Sequence, residues 1–181
     1  MLASYPSNLT WNQHPSPEYP GTFGCLTEPG SLTDRLIATK HEFTVTLLRF
    51  GEDIAAPDEA HLVGIRPGDA ITSRHVALSL GGQRVVMARS FCRRACKIWY
   101  PILNRGSNSL GLTLFSSGVD LVRNALEFAT VGPNHPLFTL AQEGEIAASF
   151  SARRCRFEMQ DAPMVVCEVF LPGLEQRLAD A

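Results

Sequence analysis

The sequence contains almost no lysine and no excess of positive charge. Of its 181 residues, 16 are basic and 18 are acidic, which gives a formal net charge of −2. Only Lys40 and Lys97 are lysines, so 14 of the basic residues are arginines. A nucleic-acid-binding protein normally carries a clear positive excess, so this balance argues against nucleic acid as a partner. Arginine is favoured where planar carboxylates are bound by paired hydrogen bonds, although compositional bias explains most of the 14.

One local run of basic residues, Arg153-Arg154-Cys155-Arg156, stands out from this balance. Such a run is found in polyanion-binding patches. Because the whole chain is slightly acidic, we predict instead a solvated strand face with local salt bridges.

The chain also lacks the patterns of targeting and membrane segments. No Lys or Arg precedes Arg35, whereas a secretory signal begins with basic residues and a transit peptide is rich in arginine. No apolar run approaches the roughly 20 residues of a membrane-spanning helix. We therefore expect a cytoplasmic protein that does not insert into a membrane.

The five cysteines form no recognisable disulfide framework or metal-binding pattern. Cys92 and Cys96 lie four residues apart, but no second pair and no nearby histidine completes a zinc site. We expect reduced, partly buried cysteines, as is usual in the cytoplasm. A Cys–His nucleophile or a metal hydrolase is therefore the weakest functional hypothesis.

Length and composition are those of one soluble globular domain. Hydrophobic residues make up 45% and charged residues 19% of the chain, and 181 residues leave no room for two large domains. Residues 1–30 hold five of the 12 prolines. We therefore predict an irregular, proline-rich arm over 1–26 and a domain over 27–181.

Strand patterns dominate the predicted domain. Gly81-Gly82 is a strong two-residue hairpin signal, whereas residues 160–163 suggest a four-residue turn. Strands rich in β-branched, aromatic or alternating apolar residues are predicted over 43–50, 71–80, 83–92, 148–159 and 164–171. The predicted fold class is α+β, with a single antiparallel sheet and short helices.

The helix signals are weaker. Ser31 and the pair Asn108-Ser109 are candidate N-caps of short helices that end near residues 40 and 115. Residues 120–131 fit a helix and a strand equally, and 132–146 read as an insertion with one possible helical turn.

The Gly81-Gly82 turn also allows a register prediction. If Leu80 faces Gln83, then continued pairing along the apolar side brings Arg74 opposite Arg89. Like charges directly opposite destabilise a sheet, so this pair calls for an anion between the two arginines or a carboxylate side chain that neutralises one of them. The alternative is a different register, or a bulge that turns one arginine to solvent.

Glu168 is the second unusual position, because it is the one charge in the apolar run 164–171. Alternation places it on the face of Val166 and Phe170. A carboxylate there needs a partner, or its pKa rises and it becomes a proton donor; the alternative is an outward-facing glutamate on an edge strand. A cavity with two arginines and one glutamate suits a small acid with two carboxylates.

Over residues 26–173 the sequence resembles the chorismate lyases. Six short segments carry this resemblance. No single one is diagnostic, but the order in which they occur, and especially the segment nearest the C-terminus, is specific. The matching segments are Gly30-Ser-Leu-Thr-Asp-Arg35, Arg74 on its strand, Ala88-Arg-Ser90, Leu110-Gly-Leu-Thr-Leu-Phe115, Ala152-Arg-Arg154 and Cys167-Glu-Val-Phe-Leu-Pro172.

The resemblance implies an activity and a set of site residues. Chorismate lyases cleave chorismate to 4-hydroxybenzoate and pyruvate for ubiquinone synthesis, in an internal site under helical flaps and with no metal or organic cofactor. The carboxylate-binding arginine falls on Arg74 and the essential glutamate on Glu168. Ligand-contacting positions fall on Leu32 and Leu110, and Arg89 matches an arginine beside the site. We expect a monomer whose partner is the small-molecule substrate.

The chain departs from the family pattern at some positions, and two other functions stay open. Leu32 stands where several members have methionine, and His75 stands where an acidic residue is common. The alternatives are a paralogous lyase that acts on a related carboxylated ring, and a non-catalytic domain of the same fold that binds aromatic carboxylates. Such domains in transcription regulators normally follow a DNA-binding helix-turn-helix, for which the first 30 residues are too short and proline-rich.

Overall fold

A single antiparallel sheet forms the centre of the molecule. The computed structural model describes residues 9–15, 20–116, 118 and 120–181. Within these ranges the sheet has seven strands in the order β1-β2-β3-β7-β6-β4, and β5 pairs with β6 beside β4. The strands are β1 Phe43–Ile54, β2 Ala70–Leu80, β3 Gln83–Arg93, β4 Val122–Arg123, β5 Glu127–Val131, β6 Phe150–Met159 and β7 Ala162–Phe170. The predicted α+β fold class is confirmed.

Short helices cover both faces of the sheet. Ser31 caps α2 by accepting from the Asp34 amide at 3.2 Å, and Ser109 caps α5 by accepting from Leu112 at 3.4 Å, which confirms both predicted caps. The helices are α1 Pro20–Leu26, α2 Leu32–Ile37, α3 Pro57–Ala60, α4 Tyr100–Leu103, α5 Leu110–Leu114, α6 Pro136–Gln142 and α7 Gly173–Ala179, with a 3₁₀ turn at His61–Val63.

Several predicted boundaries were wrong. β1 continues to Ile54, and the insertion holds two helical turns in α6. The segment left open between helix and strand forms the two short strands β4 and β5. The last hairpin turns at Gln160-Asp161, whose φ angles of 50° and 59° are typical of a two-residue turn, so β7 begins at Ala162.

The N-terminal arm is also more regular than predicted where it is described. Residues 20–26 form α1, which packs against α7. Asn12 exchanges two backbone hydrogen bonds of 2.8 Å with Phe128 of β5. Residues 1–8 and 16–19 of the predicted arm lie outside the described residues.

The register of the β2–β3 hairpin differs from the prediction by one residue. Leu80 faces Gln83 and Ser79 faces Arg84, but a bulge at Val85 then brings Leu78 opposite Val86. A shift of one residue reverses the face of every later side chain on one strand relative to its partner. Arg74 therefore faces Ser90, and the prediction that it faces Arg89 was wrong.

The two faces of the sheet bury different cores. On one face, α3 and α6 pack on residues such as Met87 and Val165. The other face holds Val76, Ala88 and Phe170, and α2 and α5 lie over part of it. The helices are short: across the described ranges, none has the length and hydropathy of a bilayer-spanning segment.

Candidate active site

A cavity lies between the sheet and the helices α2 and α5. Arg74 and Glu168 line it from the strands, and Leu32 and Leu110 line it from the two helices. The structure therefore brings four of the five predicted site residues together. Val76, Ala88 and Val166 make the floor between them largely apolar.

Arg74 is buried with only part of its hydrogen-bonding capacity used. Its side chain is 1% exposed, and Nη2 donates to the backbone oxygens of Gly106 and Asn108, each at 2.9 Å. Its Nε is buried and has no hydrogen-bond partner among the described residues. Burial, together with the nearby Arg105 guanidinium, lowers the pKa of Arg74 to about 10, so the side chain stays charged at neutral pH.

No carboxylate of the described residues forms an ion pair with Arg74. A buried charge without a counter-ion is costly, and a bound anion removes that cost. The guanidinium also has the planar fork geometry that matches a carboxylate. Arg74 is therefore well suited to bind a carboxylate inside the cavity.

Glu168 has an intramolecular partner, Arg153, which sequence reasoning did not assign to the site. The two residues face each other across β6 and β7, and Arg153 Nε donates to Glu168 Oε2 at 2.5 Å. Arg153 Nη1 also donates to the backbone oxygens of Cys25, Leu26 and Glu28 at 3.1, 3.3 and 2.9 Å. Glu168 is thus held in a fixed position on the cavity wall.

The solvated strand face predicted for the arginine run was wrong for two of its members. Arg153 is 3% and Arg154 4% exposed, because both turn inward to buried or half-buried carboxylates. The predicted local salt bridges are confirmed: Arg153 pairs with Glu168, Arg154 with Glu127 at 2.8 Å, and Arg156 with Glu158 at 2.6 Å.

Arg123 is a further cavity residue that the sequence did not reveal. It belongs to the two-residue strand β4 and lines the cavity beside Phe115 and Phe157. Its position falls in the segment whose pattern fitted helix and strand equally, so no periodicity signal could have placed it.

Two helices close the cavity and contact each other directly. Thr33 on α2 and Ser109 at the start of α5 share a hydroxyl–hydroxyl hydrogen bond of 2.9 Å. Gly111 allows the close approach, since a Cβ at that position would lie 2.8 Å from Thr33 Oγ1. Leu32 and Leu110, on either side of this contact, form the apolar inner surface of the cover.

Arg89 lies on the opposite face of the sheet from the cavity. It is 2% exposed and binds Glu59 through two hydrogen bonds of 2.9 and 3.0 Å and Asp53 through one of 2.6 Å. His75 Nε2 is 3.1 Å from Arg89 Nη1. These carboxylates hold the pKa of Arg89 above its usual value despite burial. The prediction that Arg89 and Arg74 share one site was wrong, because the bulge at Val85 turns the Arg89 side chain to the opposite face of the sheet.

The chemistry of the cavity wall is that of arginine and carboxylate groups. Across the described ranges, no group of three or more His, Cys, Asp or Glu side chains is arranged to hold a metal ion. The fold and the cavity define an α+β domain whose internal cavity is lined by arginine and glutamate side chains on an apolar floor.

Comparison with known proteins gives the family. The model of the chorismate lyase family matches residues 5–178, and this chain belongs to that family of carbon–oxygen lyases. It is 33% identical over 177 residues to a probable chorismate pyruvate-lyase of Aromatoleum aromaticum, covering 93% of this chain and 95% of the relative. It is 34% identical over 155 residues to one of Thiobacillus denitrificans, with 83% and 82% covered.

Solved structures with the same fold include parts of transcription regulators. The effector domain of PhnF from Mycobacterium smegmatis superposes with a TM-score of 0.56 at 18% identity, covering 80% of this chain and 90% of that domain. The C-terminal domain of a histidine utilization repressor from Pseudomonas syringae gives 0.51 at 13% identity, with 73% and 93% covered. At such low identity these similarities show the fold alone.

Proposed function

We propose that this protein is a chorismate pyruvate-lyase that cleaves chorismate to 4-hydroxybenzoate and pyruvate. Family membership and the names of its relatives support this activity. The observation that supports it most strongly is the buried guanidinium of Arg74, which lines the cavity and has no carboxylate partner among the described residues. We assign the ring carboxylate of chorismate to this guanidinium.

In the proposed complex Glu168 binds the other end of the ring. It is on β7, two strands from Arg74 on β2, and two strand spacings amount to about 10 Å between backbones. A six-membered ring with a carboxylate at one end and a hydroxyl at the other fits between two inward-pointing side chains at that spacing. In this role Glu168 accepts a hydrogen bond from the substrate hydroxyl, next to the ether oxygen, and then from the product hydroxyl.

Arg153 is a positioning residue in this proposal. Its hydrogen bond occupies Glu168 Oε2 and so leaves Oε1 for the ligand. Since Arg153 also binds three backbone oxygens at the end of α1 and just after it, Glu168 is fixed before substrate arrives. Such preorganised polar groups lower the barrier because they need no rearrangement during the reaction.

The reaction itself is an elimination that needs no redox partner. The hydroxyl-bearing ring carbon loses its hydrogen as a proton, and that electron pair forms the new ring double bond. The bond between the neighbouring carbon and the ether oxygen breaks, which leaves an aromatic ring and an enolpyruvate. The enolpyruvate takes up one proton on its methylene carbon and becomes pyruvate, so the proton count balances.

The helices α2 and α5 supply the apolar cover over this chemistry. Leu32 and Leu110 contact the ring faces in the proposed complex and keep water from the reacting bond. The product keeps the ring carboxylate and the hydroxyl, so both Arg74 and Glu168 still hold it. We therefore expect release of 4-hydroxybenzoate to be slow and to depend on opening of the cover.

Incubation of the purified protein with chorismate tests the proposal. Pyruvate is followed with a coupled dehydrogenase and the hydroxybenzoates by chromatography, with heat-denatured protein as the control. We expect equal amounts of pyruvate and 4-hydroxybenzoate. Pyruvate with 3-hydroxybenzoate would show a related lyase, and binding without pyruvate would show a non-catalytic domain; either result overturns the proposal. The expected cytoplasmic location, monomeric state and lack of a cofactor stay predictions.

A further inference from the structure

Arg123 is the second cationic side chain on the cavity wall that has no carboxylate partner among the described residues. Its guanidinium carbon lies 4.7 Å from the centre of the Phe115 ring and 5.9 Å from that of Phe157. One guanidinium nitrogen donates to the backbone oxygen of Pro29. Its Nε is buried and has no hydrogen-bond partner within the described ranges, so the side chain is held in place but still has a donor available.

The charges on the cavity wall are unbalanced in favour of positive charge. Arg74, Arg123 and Arg153 line the cavity against one carboxylate, Glu168. The ion pair of Arg153 with Glu168 neutralises one of the three. Two positive charges therefore face the cavity, which matches an occupant with two negative charges.

The strand order arranges these groups in a line. Arg74 is on β2, Glu168 on β7 and Arg123 on β4, and β7 lies between the other two strands. Chorismate has the same order of groups: a ring carboxylate, then the hydroxyl and ether oxygens on neighbouring carbons, then the carboxylate of the enolpyruvyl group. With the ring carboxylate on Arg74 and the hydroxyl on Glu168, the second carboxylate extends toward β4.

We propose that Arg123 binds the carboxylate of the departing enolpyruvyl group. This assignment rests on the proposed chorismate lyase activity and adds a residue for the leaving group. The contacts of Arg123 with the Phe115 and Phe157 rings and with the Pro29 backbone oxygen hold the guanidinium at the cavity wall, where it can bind a carboxylate through paired hydrogen bonds. The same positive charge lies near the negative charge that develops on the enolpyruvate oxygen when the ether bond breaks.

The proposal predicts different consequences for substrate and product. In the proposed complexes chorismate contacts both Arg74 and Arg123. The product 4-hydroxybenzoate has lost the second carboxylate, so it keeps its contacts with Arg74 and Glu168 but makes none with Arg123. A residue that merely stabilised the fold would affect both ligands together. The comparison of the two ligands therefore separates a binding role for Arg123 from a structural one.

The experiment measures kcat/KM for chorismate and the Kd of 4-hydroxybenzoate for Arg123→Met and Arg74→Met. Arg66→Met is the control, because the Arg66 side chain is 88% exposed and lies outside the cavity. We expect Arg123→Met to lower kcat/KM by at least about tenfold, the effect of losing a charge-assisted hydrogen bond, and to leave the Kd of 4-hydroxybenzoate within about twofold. Arg74→Met should weaken both ligands.

If the wild type releases pyruvate, two results for Arg123→Met overturn the assignment. One is an unchanged kcat/KM for chorismate, and the other is an equal loss in kcat/KM for chorismate and in affinity for 4-hydroxybenzoate. An inactive wild type would instead refute the proposed function. If Arg123→Met does not fold, the assignment is tested with wild-type protein and two probes. The first is 3-(carboxymethoxy)-4-hydroxybenzoate, and the second is the analogue in which only the carboxymethoxy carboxylate is replaced by a neutral amide. The acid should bind at least about tenfold more tightly than the amide; equal affinity contradicts the proposal.

Discussion

Arg74 and Arg89 lie on neighbouring strands of one hairpin and point to opposite faces of the sheet. The bulge at Val85 produces this arrangement, because it pairs Arg74 with Ser90 and His75 with Arg89. Arg74 reaches a cavity without a carboxylate partner in the described residues, whereas Arg89 binds Glu59 and Asp53. The one-residue shift in register thus leaves Arg74 available to bind a ligand, whereas Arg89 forms ion pairs within the core.

The substitution Arg89→Met should therefore lower the free energy of unfolding, whereas Arg74→Met should not lower it. Arg89→Met leaves Glu59 and Asp53 uncompensated, and breaking a buried ion pair costs about 3–5 kcal/mol. Arg74→Met removes a buried charge that has no counter-ion, so we expect an unchanged or increased free energy of unfolding. Urea unfolding followed by circular dichroism measures both. Equal destabilisation by the two variants would contradict this division of roles.

The hydrogen bond between Thr33 and Ser109 should control escape of the product. Thr33→Val removes it, which makes opening of α2 from α5 easier by about 0.5–1.5 kcal/mol. We expect the dissociation rate of 4-hydroxybenzoate, measured by stopped-flow fluorescence, to rise about two- to tenfold. Thr130→Val is the control, since Thr130 is exposed on β5. A dissociation rate equal to that of the control would mean that this contact does not hold the cover closed.

Acid should destabilise the protein through Asp58 and Asp53. Burial alone raises their pKa values, but hydrogen bonds from His135 and Trp11 to Asp58, and from His75 to Asp53 beside the Arg89 charge, lower both below the usual 3.8. A carboxyl with a lowered folded-state pKa contributes stability above its unfolded pKa and loses it as the pH falls through the folded value.

The measurement is the free energy of unfolding of wild type and Asp58→Asn between pH 7 and pH 2. We expect the wild type to be more stable at pH 7 by an amount that stays constant down to about pH 4 and shrinks below it. A difference that grows as the pH falls would reverse the sign and refute the assignment of Asp58 as a charged, hydrogen-bonded group.

Of the five cysteines, only Cys96 should react readily in the native protein. Cys25, Cys92, Cys155 and Cys167 are buried, and burial raises the pKa of each thiol, that of Cys92 to about 12. The thiolate is the reactive form, so titration with an aromatic disulfide should show one fast thiol, and Cys96→Ser should abolish it. Two or more fast thiols in the native wild type would contradict the burial seen here.

Local sequence patterns correctly predicted the features that depend only on neighbouring residues, such as helix caps and the alternation of side chains along a strand. Alternation placed Glu168 on the cavity face with Val166, and hydroxyl side chains marked the starts of α2 and α5. Each of these features depends on a few neighbouring residues. Local patterns therefore predicted the fold class and both helix caps. The resemblance to the chorismate lyases supplied Leu32 and Leu110, so that four of the five predicted site residues line the cavity.

The remaining features depend on the number of residues in a turn or a bulge. Nothing in the residues around Val85 marks the bulge, yet it reverses the direction of Arg89 relative to Arg74. A four-residue turn between β6 and β7 would have put Arg153 opposite Phe170, whereas the two-residue turn puts it opposite Glu168. The partner of the proposed catalytic glutamate was therefore hidden by an error of two residues in one turn.

The most direct test of the account is pyruvate release from chorismate by Arg74→Met and Glu168→Gln, compared with wild type and with Arg66→Met. If chorismate is cleaved between Arg74 and Glu168, both cavity variants should lose at least about a hundredfold in kcat/KM, the size expected for a preorganised polar group at a reacting centre. Arg66→Met should keep wild-type activity, and all variants should keep the wild-type circular dichroism spectrum. Near-wild-type turnover by either folded cavity variant would contradict the account.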